Sequence, residues 1–271
     1  MKTRLITAGV LIPLLLVVVL WMPEIVTAVI LGAIVAIAAY ELMFVTNLVK
    51  HTRLVIYAMV MAFAVTIWSF FGMNESVGTL GLLAFISVLF AEMMRDHVKI
   101  TFEMLTVAIV AGVLVPFLLS GIVTVHTMRL GRYFILIPFV MAFGPDAGAY
   151  FAGRAFGQRK LAPVISPNKT VEGMIGGLLT GMLMMVIYTL ILQLGFSLKV
   201  NYMYALIYGL VGSLGATFGD LCFSVIKRQT GIKDYGSIFP GHGGVLDRFD
   251  SMVVVAPLTM VLLDLIPLAG V

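Results

Sequence analysis

Residues 219–250 read GDLCFSVIKRQTGIKDYGSIFPGHGGVLDRFD. The stretch begins as the end of an apolar run and then becomes dense in charge, although Asp, Glu, Lys and Arg make up only 11% of the whole chain. An apolar chain gathers charges in one place where water, a metal or a charged substrate can meet them. The stretch therefore predicts a functional loop at the end of a membrane-spanning helix.

The remainder of the chain reads as a series of membrane spans. Hydrophobic residues make up 61% of it, and the mean hydropathy is +1.12. Apolar runs of about 18 residues or more are long enough to cross a bilayer. We predict an all-α, polytopic integral membrane protein of about nine transmembrane helices, at 5–22, 25–41, 54–72, 76–93, 102–125, 133–152, 174–195, 202–226 and 251–269. Within one membrane domain, 1–135 is expected to form a scaffold with possible dimer contacts, and 136–271 to carry the catalytic loops.

The basic residues indicate the orientation. Nine spans place 14 of the 17 Lys and Arg residues on the side that holds the N-terminus. Positive loops remain in the cytoplasm, so the N-terminus and both long polar loops are predicted to be cytoplasmic. A sequence pI near 9.2 would also suit a nucleic-acid-binding protein. The basic residues lie in short loops between apolar runs, however, which argues against a nucleic-acid partner.

The first polar loop contains a candidate anion site. Asp146 lies near the cytoplasmic end of the sixth span, where an acid is costly unless it is paired or hydrated. Residues 166–173 read SPNKTVEG and lead into a glycine-rich helix start. Ser166, Lys169 and Glu172 stand at this helix mouth, where free backbone N–H groups favour an anion. We expect these residues to help bind substrate phosphate.

The second polar loop adds a charged helix face. Asp220, Ser224 and Lys227 follow the spacing i, i+4 and i+7, so they share one side of the eighth span. A carboxylate, a hydroxyl and an ammonium in one stripe of a transmembrane helix point into a cavity. The turn PGHGG at 240–244 is expected to offer the backbone N–H groups of Gly241, Gly243 and Gly244 to an anion.

Carboxylates beside several basic residues suit a metal-bridged phosphate. Asp247 and Asp250 have the spacing i, i+3 at the start of the last span and can face one way. Acids would hold Mg²⁺, and the metal and the bases would hold phosphoryl oxygens. His242 could be a base, a phosphate donor or a turn residue. Glu41, at the end of the second span, could face a functional cavity or only end its helix.

Several motifs resemble one family. The patterns are Ser224-x-x-Lys227-Arg228-x4-Lys233-Asp234, then the turn 240–244, then Asp247-Arg248-x-Asp250. With the upstream AYFAGRAFG at 149–157, the SPNKTVEG element and the YEL at 40–42, they resemble phosphatidate cytidylyltransferases, also called CDP-diacylglycerol synthases. The resemblance covers nearly the whole chain and is strongest over 146–250.

The resemblance implies a reaction and a set of roles. The reaction is CTP plus phosphatidate to CDP-diacylglycerol plus pyrophosphate, in phospholipid biosynthesis at the cytoplasmic face of the inner membrane. It implies Mg²⁺ dependence and a homodimer, and it leaves open an additional monovalent cation such as K⁺. The expected metal ligands are Asp220, Asp247 and Asp250. The expected catalytic residues are Asp220, Lys227, Arg228, Lys233, His242, Asp247 and Arg248. The expected substrate-binding residues are Asp146, Ser166, Lys169, Glu172, Ser224, Gly241, Gly243 and Gly244.

Two other functions remain open at the level of sequence. A CTP-dependent transferase could act on another lipid phosphate or on a polyprenol, because motifs that bind phosphates would tolerate that change of acceptor. A cation transporter could use Asp146, Asp220 and Asp247 as an ion path. The density of Lys and Arg around those acids argues against the transporter.

Overall fold

The computed structural model describes residues 2–239, 241 and 243–270. The helices in this part of the chain are α1 (Lys2–Trp21), α2 (Glu24–Val45), α3 (Thr52–Phe70), α4 (Glu75–Arg95), α5 (Phe102–Thr127), α6 (Gly131–Phe156), α7 (Val171–Phe196), α8 (Tyr202–Gln229), α9 (Leu246–Phe249) and α10 (Met252–Leu265). The strands are β1 (Lys160–Ala162), β2 (Ser166–Thr170), β3 (Lys199–Val200) and β4 (Ala269–Gly270). Wide π-helical turns lie within two helices, at Glu41–Val45 in α2 and Val110–Leu114 in α5.

The helices confirm the predicted all-α, polytopic membrane protein. Among the described residues, the seven helices α2 to α8 are long and apolar enough to cross a membrane. The last predicted span is helical over only 14 residues, a length of about 21 Å against a hydrocarbon core of about 30 Å. The count of nine spans and the cytoplasmic N-terminus stay predictions.

The chain divides into two compact units. The first unit contains the residues up to Met128 together with Gln229–Phe249, and the second contains Arg129–Arg228 together with Asp250–Val271. Each unit thus includes a segment from the C-terminal part of the chain. The predicted division into a scaffold (1–135) and a part with catalytic loops (136–271) assigns roles to these segments, and it stays a prediction.

The first unit is built around α2, α3 and α5. Helices α2 and α3 approach closely where Gly32 faces Phe63, since a Cβ at Gly32 would lie 2.8 Å from the Phe63 ring. Gly112, in the π turn of α5, likewise leaves room for the backbone of Ala58, 3.1 Å from where its Cβ would be. Helix α4 keeps most of its apolar side chains exposed. Such a surface suits a helix surrounded by lipid.

The second unit depends on a close contact between α6 and α7. A Cβ at Gly173 would lie 2.9 Å from the carbonyl oxygen of Ala149, and one at Gly148 would lie 2.9 Å from that of Gly176. A Cβ at Gly153 would lie 3.5 Å from the Cα of Gly173. Small residues of this kind let two transmembrane backbones approach each other. Gly148 and Gly153 provide such positions on α6, and Gly173 and Gly176 provide them on α7.

Helix α8 completes the second unit. It crosses α7 at Gly209, where a Cβ would lie 2.6 Å from the backbone nitrogen of Met182. Farther along, a Cβ at Gly219 would lie 2.8 Å from the carbonyl oxygen of Asp250. Gly209 thus lets α8 pack against the middle of α7, and Gly219 brings the polar end of α8 close to Asp250.

A small hairpin joins α6 to α7. Strands β1 and β2 are antiparallel, with Lys160 opposite Thr170 and Ala162 opposite Ser166. Thr170 then caps α7, since its Oγ1 accepts the N–H of Gly173 at 3.1 Å. The chain is extended over Ser166–Thr170. The hairpin places Lys169 immediately before the start of α7.

Candidate active site

The polar face of α8 forms as the helical period predicts. Ser224 Oγ donates a hydrogen bond to Asp220 Oδ1 at 3.3 Å. Lys227, one turn farther on, is largely buried, and only 11% of its side chain is exposed. A buried ammonium is costly unless acidic groups or a bound anion balance its charge. The face is therefore suited to hold a charged ligand.

Within the second unit, one ion pair joins the hairpin to α8. Lys169, on β2, pairs with Asp220 Oδ2 on α8. About a quarter of each side chain is exposed, 27% for Lys169 and 25% for Asp220. The predicted anion-binding lysine and the predicted metal ligand thus belong to one site. They come from different parts of the sequence, Lys169 from the first polar loop and Asp220 from the eighth predicted span.

Asp250 lies against the same helix. Its Oδ2 is 4.0 Å from Lys227 Nζ, and its Oδ1 accepts the N–H of Ser251 at 2.7 Å. Asp250 is 8% exposed. Two carboxylates, those of Asp220 and Asp250, therefore lie along α8 beside two lysines. Acidic and basic side chains thus lie next to each other along this face, and metal and phosphate binding there stay predictions.

A cavity of about 550 Å³ opens beside this cluster. It runs between α6, the hairpin, α7 and α8. Its polar lining includes Asp146, Arg154, Lys169, Thr170 and Asp220, and the glycines of α6 and α7 form much of its wall. Asp146 thus shares a cavity with Lys169 and Asp220, as a substrate-binding role requires. Arg154 was not singled out from the sequence, because its position before the hairpin resembled that of any topology-determining arginine.

Two further predicted residues hold the hairpin in place. Glu172 accepts the backbone N–H groups of Gln158 at 3.0 Å and Arg159 at 3.2 Å. Arg228 donates from Nε to the carbonyl oxygen of Ile165 at 3.0 Å. These contacts give Glu172 and Arg228 positioning roles around the cavity. Direct contact with substrate stays a prediction for both, and for Ser166 on β2.

The glycine-rich turn belongs to the first unit. Gly241 and Gly243 have φ angles of +78° and +85°, which disfavour a side chain. The N–H of Phe239 donates to the carbonyl oxygen of Gly243 at 3.0 Å and closes the turn. Pro240 and His242 lie outside the described residues, so the predicted roles of His242 stay predictions.

Asp247 organises the chain around that turn. Its Oδ2 accepts the N–H of Tyr235 at 2.7 Å and that of Gly244 at 3.0 Å. The Gly244 N–H thus donates to a carboxylate of the protein, and substrate binding by Gly241, Gly243 and Gly244 stays a prediction. The side chains of Lys233 and Arg248 are exposed in the same unit. Their catalytic roles, and metal binding by Asp247, stay predictions.

The donor set fits a hard divalent cation. In the part of the chain that the structure describes, no three His, Cys, Asp or Glu side chains converge as a complete metal site. Mg²⁺ commonly binds through one or two carboxylates and completes its coordination with water and substrate phosphates. Asp220, beside the hydroxyl of Ser224, and Asp250, beside Lys227, would supply oxygen donors of this kind. The Mg²⁺ requirement and any monovalent cation stay predictions.

These features can be compared with those of known proteins. The family model described as "Cytidylyltransferase family" matches residues 2–266. The chain belongs to the cytidylyltransferase family. The match covers both units and therefore includes every predicted site residue.

The chain is also similar to curated proteins that carry the name phosphatidate cytidylyltransferase. The chain is 44% identical to the phosphatidate cytidylyltransferase of Bacillus subtilis (strain 168) over 135 residues, 50% of this chain and 49% of that protein. It is 45% identical to the protein of the same name from Staphylococcus epidermidis (strain RP62A) over 138 residues, 51% of this chain and 52% of that protein. The Staphylococcus aureus (strain COL) protein is 43% identical over 138 residues, with the same coverage. The chain thus spans about half the length of the curated relatives that it matches.

Proposed function

We propose that this protein transfers CMP from CTP to phosphatidate, giving CDP-diacylglycerol and pyrophosphate. The observation that carries the proposal is the Lys169–Asp220 pair, on the wall of a 550 Å³ cavity in a chain that is otherwise apolar. Family membership supports the use of a cytidine nucleotide, and the names of the relatives support phosphatidate as the acceptor.

The chemistry requires little general-base help. A phosphate monoester with a second pKa of about 6 is largely a dianion near neutral pH, so a phosphatidate oxygen is already a nucleophile. In the proposed step this oxygen forms a bond to the α-phosphorus of CTP. The bond from that phosphorus to the α,β-bridging oxygen breaks, and pyrophosphate leaves with the electron pair. The protein must then position two anions and stabilise the charge that develops on the leaving group.

The residues of the second unit have the charges that this task needs. Lys169 lines the cavity, and Arg154 lies on the same wall. Lys227 lies farther along α8 beside Asp250. Lys and Arg side chains would neutralise phosphoryl oxygens, and Asp220 and Asp250 would hold Mg²⁺. The bound metal would supply further charge neutralisation on the phosphates.

The site faces two kinds of environment. Tyr150 and Phe151, on α6 near the cavity, are 60% and 70% exposed, and Phe156 is 71% exposed. Aromatic side chains at helix ends favour the membrane interface. We propose that the acyl chains of phosphatidate enter from the bilayer beside α6 and that CTP arrives from the cytoplasm. The inner-membrane location and the homodimer belong to the same proposal.

An omission series tests this function. Purified protein in mixed micelles would receive CTP, Mg²⁺ and phosphatidate, with each left out in turn, and pyrophosphate release and the lipid product would both be measured. The proposal expects release only when all three are present, together with a CDP-lipid. Replacing phosphatidate with diacylglycerol, which lacks the nucleophilic phosphate, should abolish release.

The acceptor would be tested in the same assay. Polyprenyl phosphate and polyprenol would replace phosphatidate at equal mole fraction in the micelle. A clear preference for either of them would overturn phosphatidate as the acceptor while leaving CTP-dependent transfer in place. Pyrophosphate release without any lipid acceptor would overturn both.

A further inference from the structure

Glu41 has a location that the proposed chemistry does not explain. It begins the π-helical turn Glu41–Val45, which forms the last part of α2. The residue is only 1% exposed, and carboxylates are rarely buried to this extent unless other groups satisfy them. A π turn within a helix often marks a functional site. The question is therefore what this carboxylate holds.

The partners of Glu41 lie about two hundred residues away in the chain. Its Oε1 accepts the N–H of Val245 at 2.9 Å, and its Oε2 accepts the N–H of Leu246 at 2.8 Å. All of these atoms belong to the first unit. Each carboxylate oxygen therefore accepts from a different backbone donor. Glu41 thus fastens the chain at the point where the glycine-rich turn enters α9.

Two glycines shape the space around the Glu41 carboxylate. A Cβ at Gly244 would lie 2.5 to 2.7 Å from its carboxylate atoms, and a Cβ at Gly236 would lie 3.1 Å from its Cδ. Real Cβ atoms essentially never lie within 3.0 Å of another heavy atom, so a side chain at Gly244 would not fit beside Glu41. The loop therefore lacks side chains where Glu41 enters, which leaves its carboxylate room to reach the backbone donors.

Glu41 and Asp247 divide three consecutive backbone donors between them. Asp247 accepts the N–H of Gly244, and Glu41 accepts those of Val245 and Leu246. The segment 244–246, hereafter the clamped segment, leads directly into Asp247 and Arg248. The orientation of the Asp247 and Arg248 side chains depends on this segment, because it connects the glycine-rich turn directly to them in the chain.

We propose that Glu41 is a positioning residue for the second polar loop. It sets the backbone of the clamped segment, and thereby the direction of Asp247 and Arg248, without touching substrate itself. The inference rests on the proposed function, because it assumes that this loop takes part in CMP transfer. It assigns to α2 a part in activity that the C-terminal motifs do not reveal.

Three substitutions test the inference. Glu41→Gln keeps the size but replaces one carboxylate oxygen with an NH₂ group. That group would then face the backbone N–H of Val245 or Leu246, so two donors would face each other. Gly244→Ala keeps Glu41 and pushes its carboxylate away from the loop. Glu41→Asp keeps the charge but shortens the reach. The matched controls are Glu75→Gln, at an exposed glutamate in the same unit, and Gly81→Ala, where a Cβ would have open space.

Two measurements would be made on each purified variant. Amide hydrogen exchange of the clamped segment reports its local opening, and kcat and KM for CTP report its use in the reaction. We expect exchange in the clamped segment to rise roughly ten-fold or more in Glu41→Gln, because a buried donor loses its acceptor. Exchange in α3 and α5 should not change. We expect kcat/KM for CTP to fall by a similar factor, with KM raised as well as kcat lowered, whereas a loss of folded protein would lower kcat alone.

The results separate this inference from the proposed function. Wild-type inactivity in the omission series would overturn the proposed function, and the exchange data would still decide whether Glu41 clamps the loop. Unchanged exchange at the clamped segment would overturn the inference. Unchanged kcat/KM with raised exchange would also overturn it, as would exchange that rises equally throughout the chain. If Glu41→Gln does not fold, Gly244→Ala and Glu41→Asp remain to give the same readings.

Discussion

Replacing Asp220 with Asn removes one negative charge and almost no volume. The substitution therefore isolates the electrostatic role of the Asp220 carboxylate. The carboxylate pairs with Lys169 through Oδ2 and accepts a hydrogen bond from Ser224 through Oδ1. An asparagine retains one carbonyl oxygen, which can serve either partner but not both. The substitution therefore breaks the ion pair and weakens one hydrogen bond.

The structure allows the effects on stability and on turnover to be separated. About a quarter of each paired side chain is exposed, and ion pairs with this access to water contribute about 1 kcal/mol or less. A loss of that size would lower the unfolding temperature by about 2–4 °C. Removing a preorganised group that stabilises the transition state typically costs about 10²–10³ in kcat, or roughly 2.7–4 kcal/mol. Turnover should therefore fall far more than stability.

The assay is the formation of CDP-lipid in mixed micelles, together with thermal unfolding in the same detergent. Asp264→Asn is the control, because Asp264 is exposed near the end of α10 and has no role in the proposed site. Asp220→Asn should lose at least about 100-fold in kcat, and the control should match the wild type. Activity within about two-fold of wild type would refute the reasoning. A loss of folded protein as large as the loss of turnover would refute it as well, because it would make Asp220 a structural residue.

Three further predictions concern the frame around the cavity. Gly209→Ala should destabilise the second unit by about 1–3 kcal/mol, since its Cβ would lie within 3 Å of backbone atoms of α7. Thermal unfolding of this variant checks the prediction. Gly195→Ala serves as the control, because a Cβ at Gly195 would have open space. Glu172→Gln should raise KM for CTP several-fold without a change in unfolding temperature, because the link from α6 into the hairpin loosens; equal KM values would contradict the positioning role. Arg228→Ala should expose the hairpin at Ile165 to limited proteolysis, and an unchanged cleavage pattern would show that the Nε bond holds nothing in place.

Local patterns in the sequence predict most of the helices and one face of the site. Apolar runs mark the spans, and the period of an α-helix is enough to place Asp220, Ser224 and Lys227 together. The end of the last helix differs from its predicted position. There the predicted span 251–269 gives a helix that ends at Leu265, shortly before Pro267, because proline cannot continue the helical hydrogen bonds.

Contacts between distant residues could not be predicted in this way. Lys169 and Asp220 lie 51 positions apart, and no periodicity connects a lysine on a strand with an acid on a helix. The two hydrogen bonds of Glu41 span 204 and 205 positions. The sequence signal for Glu41 was only an acid at the end of an apolar run, which is equally typical of a helix terminus. Such pairs become visible once the fold places their backbones side by side.

The most direct test of CMP transfer follows each phosphate of CTP to its product. The purified protein would receive phosphatidate, Mg²⁺ and CTP labelled with ³²P at either the α or the γ position, and the lipid and aqueous phases would be counted separately. Cytidylyl transfer predicts that the α label enters the lipid and that the γ label appears only in pyrophosphate. A γ label in the lipid would show phosphoryl transfer instead, and an α label recovered only as water-soluble CMP would show hydrolysis. Either result would contradict the proposed reaction.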